Sequence, residues 1–154
     1  MSGFRNQRWD PWLIISQIIA VQTLYYLGLG FLIFFITFAI NKVPTLDYIF
    51  SYDKLQLSNW DGRFFSTVFL LNALTGAFAI FYLVRRYKQC LDFSITIHFY
   101  HFIACCIYNY QYPNIFSWYV IQFLSIIIMT ILSERFSKKY ELQNITLTSS
   151  RADL

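Results

Sequence analysis

Few residues in this chain have the type and spacing that chemistry requires. His98, His101 and Cys105 step by three and then four positions, so a helix would carry them on one face. Two imidazoles and a thiolate so spaced suit zinc or a redox metal, and a membrane-embedded metal or redox protein is one reading of them. That face has no carboxylate, because Asp92 lies about 120° away on a helix of 3.6 residues per turn. The chain contains only two histidines, which leaves no second pair for haem. The competing reading is of neutral histidines bonding between helices, with no metal and no cofactor.

Other polar residues fall in similar stripes. Ser16, Ala20, Thr23 and Gly30 form one, Asn72, Gly76 and Ala79 a second, and Gln122, Ser125 and Met129 a third. Small residues let helix backbones approach, and amides, hydroxyls and imidazoles bond across an apolar interior. Asn72, His98, His101 and Gln122 are therefore read as helix-packing polar groups. Gln17, Gln22, Asn72 and Gln122 would be the polar pathway of a small carrier. No Ser/His/Asp grouping, paired carboxylates or Gly-rich phosphate loop occurs, so no catalytic residues are assigned and the chain is not read as an enzyme.

The elements that must position these groups are membrane spans. Of 154 residues, 57% are hydrophobic and 13% charged, with mean hydropathy +0.46. A soluble domain carries about 25% charged residues, and a chain this short could not bury so much apolar surface. Residues 12–40, 64–84, 93–110 and 115–133 supply uncharged stretches of 29, 21, 18 and 19 residues, against about 20 needed to span. The fold class is all-α: an integral membrane bundle of four transmembrane helices in one multi-pass domain, 1–154. Asp10-Pro11 reads as an N-cap followed by proline at the first helical position, and Asn109–Asn114 as a tight turn. With no Asp or Glu inside any span, proton-coupled transport is poorly supported.

Lys and Arg then set the orientation. Nine fall on the face shared by the N-terminus, the 85–92 loop and the 134–154 tail, and three on the other. That bias puts both termini in the cytosol. The luminal 41–63 loop, with Tyr48, Tyr52 and Trp60 among spaced apolar residues, is read either as an interfacial helix or as an irregular aromatic loop. Asp92 reads as a cap for the third helix, and Cys90, beside basic residues, as a candidate lipidation site.

One stretch is more specific than composition. Arg85-Arg86-Tyr87-Lys88-Gln89-Cys90-Leu91-Asp92-Phe93, followed by Thr96, His98, Phe99 and His101, resembles the SYS family of small four-span Golgi membrane proteins. Trp9-Asp10-Pro11, Ser16-Gln17-Ile18, Gln22-Thr23, Tyr25-Tyr26, Leu46-Asp47 and Leu71-Asn72-Ala73-Leu74-Thr75 fit the same resemblance, which weakens after Lys139. The resemblance implies a receptor at the trans-Golgi network for an Arf-related small GTPase with an acetylated N-terminus, serving vesicle and protein transport. It implies no nucleic-acid partner. The residues it marks for partner binding are Trp9, Asp10, Gln17, Arg85, Arg86, Lys88, Gln89 and Asp92.

Overall fold

The computed structural model describes residues 10–152, and side chains up to residue 145. Helix α1 spans Pro11–Ala39. The Asp10 carboxylate accepts from the Trp12 and Leu13 amides, at 3.1 and 3.4 Å, so two of the four orphan donors at this helix start are satisfied. The helix ends where Asn41 takes a left-handed conformation, φ 54°, and the Lys42 amide reaches back to the Thr37 carbonyl at 2.8 Å. This six-to-one closure satisfies carbonyls that a helix end would leave bare.

The 41–59 segment forms no continuous helix and is irregular apart from two short turns. A single turn, α2 (Asp47–Phe50), and a 3₁₀ turn (Tyr52–Leu55) fold against the bundle end and bury Tyr52 and Leu55. Side chains staple the segment to the later hairpin. Tyr108 donates to Asp47 (2.6 Å), Asn109 to the Phe50 carbonyl (2.8 Å), Tyr52 to Gln111 (3.2 Å) and Ser117 to the Leu55 carbonyl (2.9 Å).

Helix α3 (Trp60–Leu83) is the central span. Its Ala73, Gly76, Ala77 and Ala79 are buried, and the missing side chain of Gly76 leaves room for Met129 and the Tyr25 ring. After a 3₁₀ turn (Tyr87–Gln89), α4 runs Cys90–Asn109 and α5 runs Phe116–Ala152. The 134–154 tail, read from sequence as separate from the last span, is helical as far as Ala152 without interruption. Four helices are long and apolar enough to cross a bilayer, and no strand occurs among the described residues. Phe31, Phe34, Phe35 and Phe38 of α1 are exposed, as lipid-facing side chains should be.

Buried polar groups tie the spans together at mid-depth. Asn72 Nδ2 donates to the Tyr25 carbonyl (3.1 Å), joining α3 to α1. Tyr26 Oη meets His101 Nδ1 (3.1 Å), joining α1 to α4, and the His101 ring stacks on Trp118 of α5 at 6.4 Å. Gln122 and Ser125 face the same interior. In apolar surroundings each such bond contributes on the order of 1 kcal/mol.

The chain reverses at each span, so the Pro11 end of α1, the Arg85 turn and the charged part of α5 share one end. The charge bias assigns that end to the cytosol. Asn144-Ile145-Thr146 is the chain's only glycosylation sequon, and it lies on this cytosolic extension. Glycosidase treatment of the native protein is expected to leave its gel mobility unchanged; a shift would reverse the orientation.

Candidate functional site

At the cytosolic end α3 stops at Leu83, and Arg85 adopts φ 55° to turn the chain. Gln17 of α1 donates from Nε2 to the Leu83 carbonyl (2.9 Å), capping α3 from outside its own sequence. Gln17 thus reaches α3 and does not face α4. The Arg85 guanidinium lies over the Tyr82 and Tyr140 rings, at 5.5 and 5.6 Å, and its Nε donates to the Tyr82 carbonyl. Lys88 and Lys138 both approach the Tyr87 ring, at 5.9 and 5.3 Å. The Tyr87 amide donates to Glu141 (3.4 Å). The result is a basic surface in which Arg85, Lys88 and Lys138 lie on aromatic rings, with Arg86 between them in sequence, and which is stapled to the extension of α5.

Asp92 is not the cap that the sequence suggests. Helix α4 starts two residues earlier, at Cys90, with Gln89 in the cap position and making no side-chain cap bond. Asp92 falls in the first turn, exposed, where its charge suits the helix dipole. Asp10 is occupied as the α1 cap, and Trp9 lies outside the described residues. Cys90 is fully buried, its Sγ facing the Arg86 carbonyl (3.4 Å) and Ser137 Oγ (3.8 Å). It packs the α4–α5 contact and offers no exposed thiol for lipid attachment.

His98, His101 and Cys105 share one buried face of α4, and the hydrogen bonds made there fit the helix-packing reading. His101 directs one ring nitrogen at Tyr26 Oη and the other at Cys105 Sγ (3.5 Å). His98 uses Nδ1 on the Ser94 carbonyl (2.9 Å), so that nitrogen carries the proton. Among the described residues no three His, Cys, Asp or Glu side chains group as ligands.

A cleft of ≈ 470 Å³ opens between α1 and α4 on the cytosolic side of mid-depth. Ile15, Ile18 and Ile19 wall it, Tyr100 closes the α4 side, and Gln22, Thr23 and Tyr26 are its polar lining. The Gln22 amide lies near the Tyr26 hydroxyl without a hydrogen bond of normal geometry, and both its polar atoms are out of reach of solvent. Sequence reasoning places a groove between the first and third spans just beneath the cytosolic surface, but with Gln17, Asp92 and Ser94 as its polar groups and Trp9 and Trp12 as its walls. It misses the residues that line this cleft and the aromatic seats of the basic turn. The Gln22-Thr23 and Tyr25-Tyr26 pairs were the available signal, because amides and phenols inside a span need partners.

The SYS1 family profile, described as "Integral membrane protein S linking to the trans Golgi network", matches residues 4–147. The chain belongs to the SYS1 family. It is 38% identical over 148 residues to the "Protein SYS1 homolog" of Nematostella vectensis, covering 96% of this chain and 94% of that one. Identity is 35% over 144 residues to the homolog of Dictyostelium discoideum, covering 94% and 62%. It is 30% over 142 residues to "Protein SYS1" of Saccharomyces cerevisiae, covering 92% and 70%. No solved structure matches the chain. The SYS1 profile takes in both the basic turn and the α1–α4 cleft, and the family is one of integral membrane proteins.

Proposed function

We propose that this protein resides in trans-Golgi membranes and recruits an Arf-related small GTPase with an acetylated N-terminus, in support of vesicle and protein trafficking. The observation that carries the reading is the pairing of a basic aromatic-seated turn with an apolar cleft that begins about one helical turn inside the same end. The turn offers a charged surface to a cytosolic protein. The cleft offers an apolar slot to its uncharged terminus. The family description supports the trans-Golgi placement.

Co-purification of the tagged protein from membranes tests the partner. Arg85→Glu with Arg86→Glu is expected to lower GTPase recovery at least fivefold, by repelling the acidic surface that the turn would meet. Insertion is checked in the same preparation by protease accessibility, since the change removes two of the nine orienting cations. A correctly inserted double variant with undiminished recovery removes the turn from the mechanism.

A further inference from the structure

The end of the bundle opposite the basic turn holds a second, quite different cavity. It measures ≈ 260 Å³ and is enclosed by Lys42, Asp53, Lys54 and Asp61, with Tyr48 and Phe65 as an aromatic wall. Lys42 follows α1 by three residues, while Asp61 lies in the first turn of α3. The cavity therefore sits at the ends of two spans, at the height of lipid headgroups.

Its charges sum to zero but are not all spent. Lys42 pairs with Asp61, and that bond holds the Lys42 ammonium above its ordinary pKa. The Lys54 ammonium lies 5.9 Å over the Tyr48 ring, which stacks on Phe65 at 4.2 Å. Neither Lys54 nor Asp53 is in an ion pair among the described residues. One cation and one anion therefore face a shared space.

The floor is built tightly. Gly62 is buried where any Cβ would collide with the Gln56 carbonyl, so only glycine lets the loop close on α3. Arg63 Nε donates to the Leu57 carbonyl (2.9 Å), and Asn59 Nδ2 to Gln56 Oε1 (3.3 Å). On the same end of α3, Trp60 and Phe64 are exposed, apolar surface for acyl chains at the depth of the cavity.

We propose that this cavity binds the zwitterionic headgroup of a phospholipid in the adjacent leaflet, with Lys54 on the phosphate and Asp53 on the ammonium. A net anion would meet the two carboxylates, and a net cation the two ammoniums. A zwitterion satisfies both signs at once. The headgroup chemistry is shared with free phosphocholine, while Trp60 and Phe64 favour the lipid.

The test uses the full chain in detergent, titrated with dihexanoyl phosphatidylcholine below its micelle concentration. Dihexanoyl phosphatidylglycerol, free phosphocholine and inorganic phosphate are titrated in parallel. Saturable phosphatidylcholine binding is expected, at least tenfold tighter than phosphatidylglycerol or phosphate and several-fold tighter than phosphocholine. Asp53→Asn and Lys54→Gln should each weaken phosphatidylcholine about fivefold with the melting temperature unchanged, since both side chains are exposed. Asp53→Asn should also improve phosphatidylglycerol binding, a gain that loss of fold cannot produce. Equal binding of phosphatidylglycerol or phosphate overturns the zwitterion. Equal binding of phosphocholine overturns the lipid, and wild-type behaviour of both variants overturns the site.

Discussion

Gly76→Val is expected to lower the melting temperature of the detergent-purified protein by several degrees, whereas Gly30→Val leaves it unchanged. Both glycines lie inside spanning helices, so valine carries the same intrinsic helix preference at each. Their surroundings differ. A Cβ on Gly76 would overlap Met129 Sδ and come within 3.2 Å of the Tyr25 ring; one on Gly30 meets nothing within 4 Å. Met129 is flexible and can give way, but Tyr25 is fully buried between α1, α3 and α4 and cannot. Overpacking of this kind costs about 1–3 kcal/mol. Thermal unfolding followed by circular dichroism reads the difference between the variants. Equal midpoints would mean that α3 does not set the spacing of the bundle.

Much of this architecture is legible because charge is expensive in lipid. The uncharged stretch from Phe93 to Ser133, broken only by an Asn- and Pro-bearing turn, is a hairpin before any coordinates are seen, and α4 and α5 meet there. Asp10-Pro11 likewise reads as a helix start and acts as one. What hydropathy cannot reveal is which face of a span looks inward, since lipid and protein interior are both apolar. Gln17 and Gln22 lie five residues apart on one helix, yet the first caps α3 and the second lines the α1–α4 cleft. The tail was read apart from the last span because charges begin at Glu134. Charges end a hydrophobic run but not a helix, and Glu134 with Lys138 has the spacing that supports one. The basic turn was visible as a run of cations. Its stapling to Glu141 and Tyr140 was not, because more than fifty residues separate them.

A peptide copying the acetylated N-terminus of the proposed GTPase partner is expected to bind the wild-type protein about a hundredfold more tightly than the same peptide with a free amine. Gln22 lies eleven residues into α1, about 16 Å below its start at 1.5 Å per residue. A terminus that reaches it leaves the aqueous surface. Acetylation replaces an ammonium with an amide and a methyl group. Insertion scales charge about 2.5–3.5 kcal/mol for a cation at that depth, which corresponds to roughly a hundredfold in affinity. If the Gln22 amide turns into the cleft, the acetyl amide supplies the hydrogen bond it lacks, so Gln22→Leu should weaken the acetylated peptide by about three- to tenfold. Ile19→Trp narrows the cleft from a lipid-facing position and should reduce binding at least tenfold at unchanged stability. Gln17→Ala and Asp92→Asn, at positions favoured by sequence alone, should bind near wild type once compared at matched folded fraction. If wild type fails to distinguish the two peptides, the acetyl group is not read in this membrane protein. If it does distinguish them, and Gln17 and Asp92 matter while Ile19 and Gln22 do not, the terminus docks at the surface beside the basic turn and the cleft has another use.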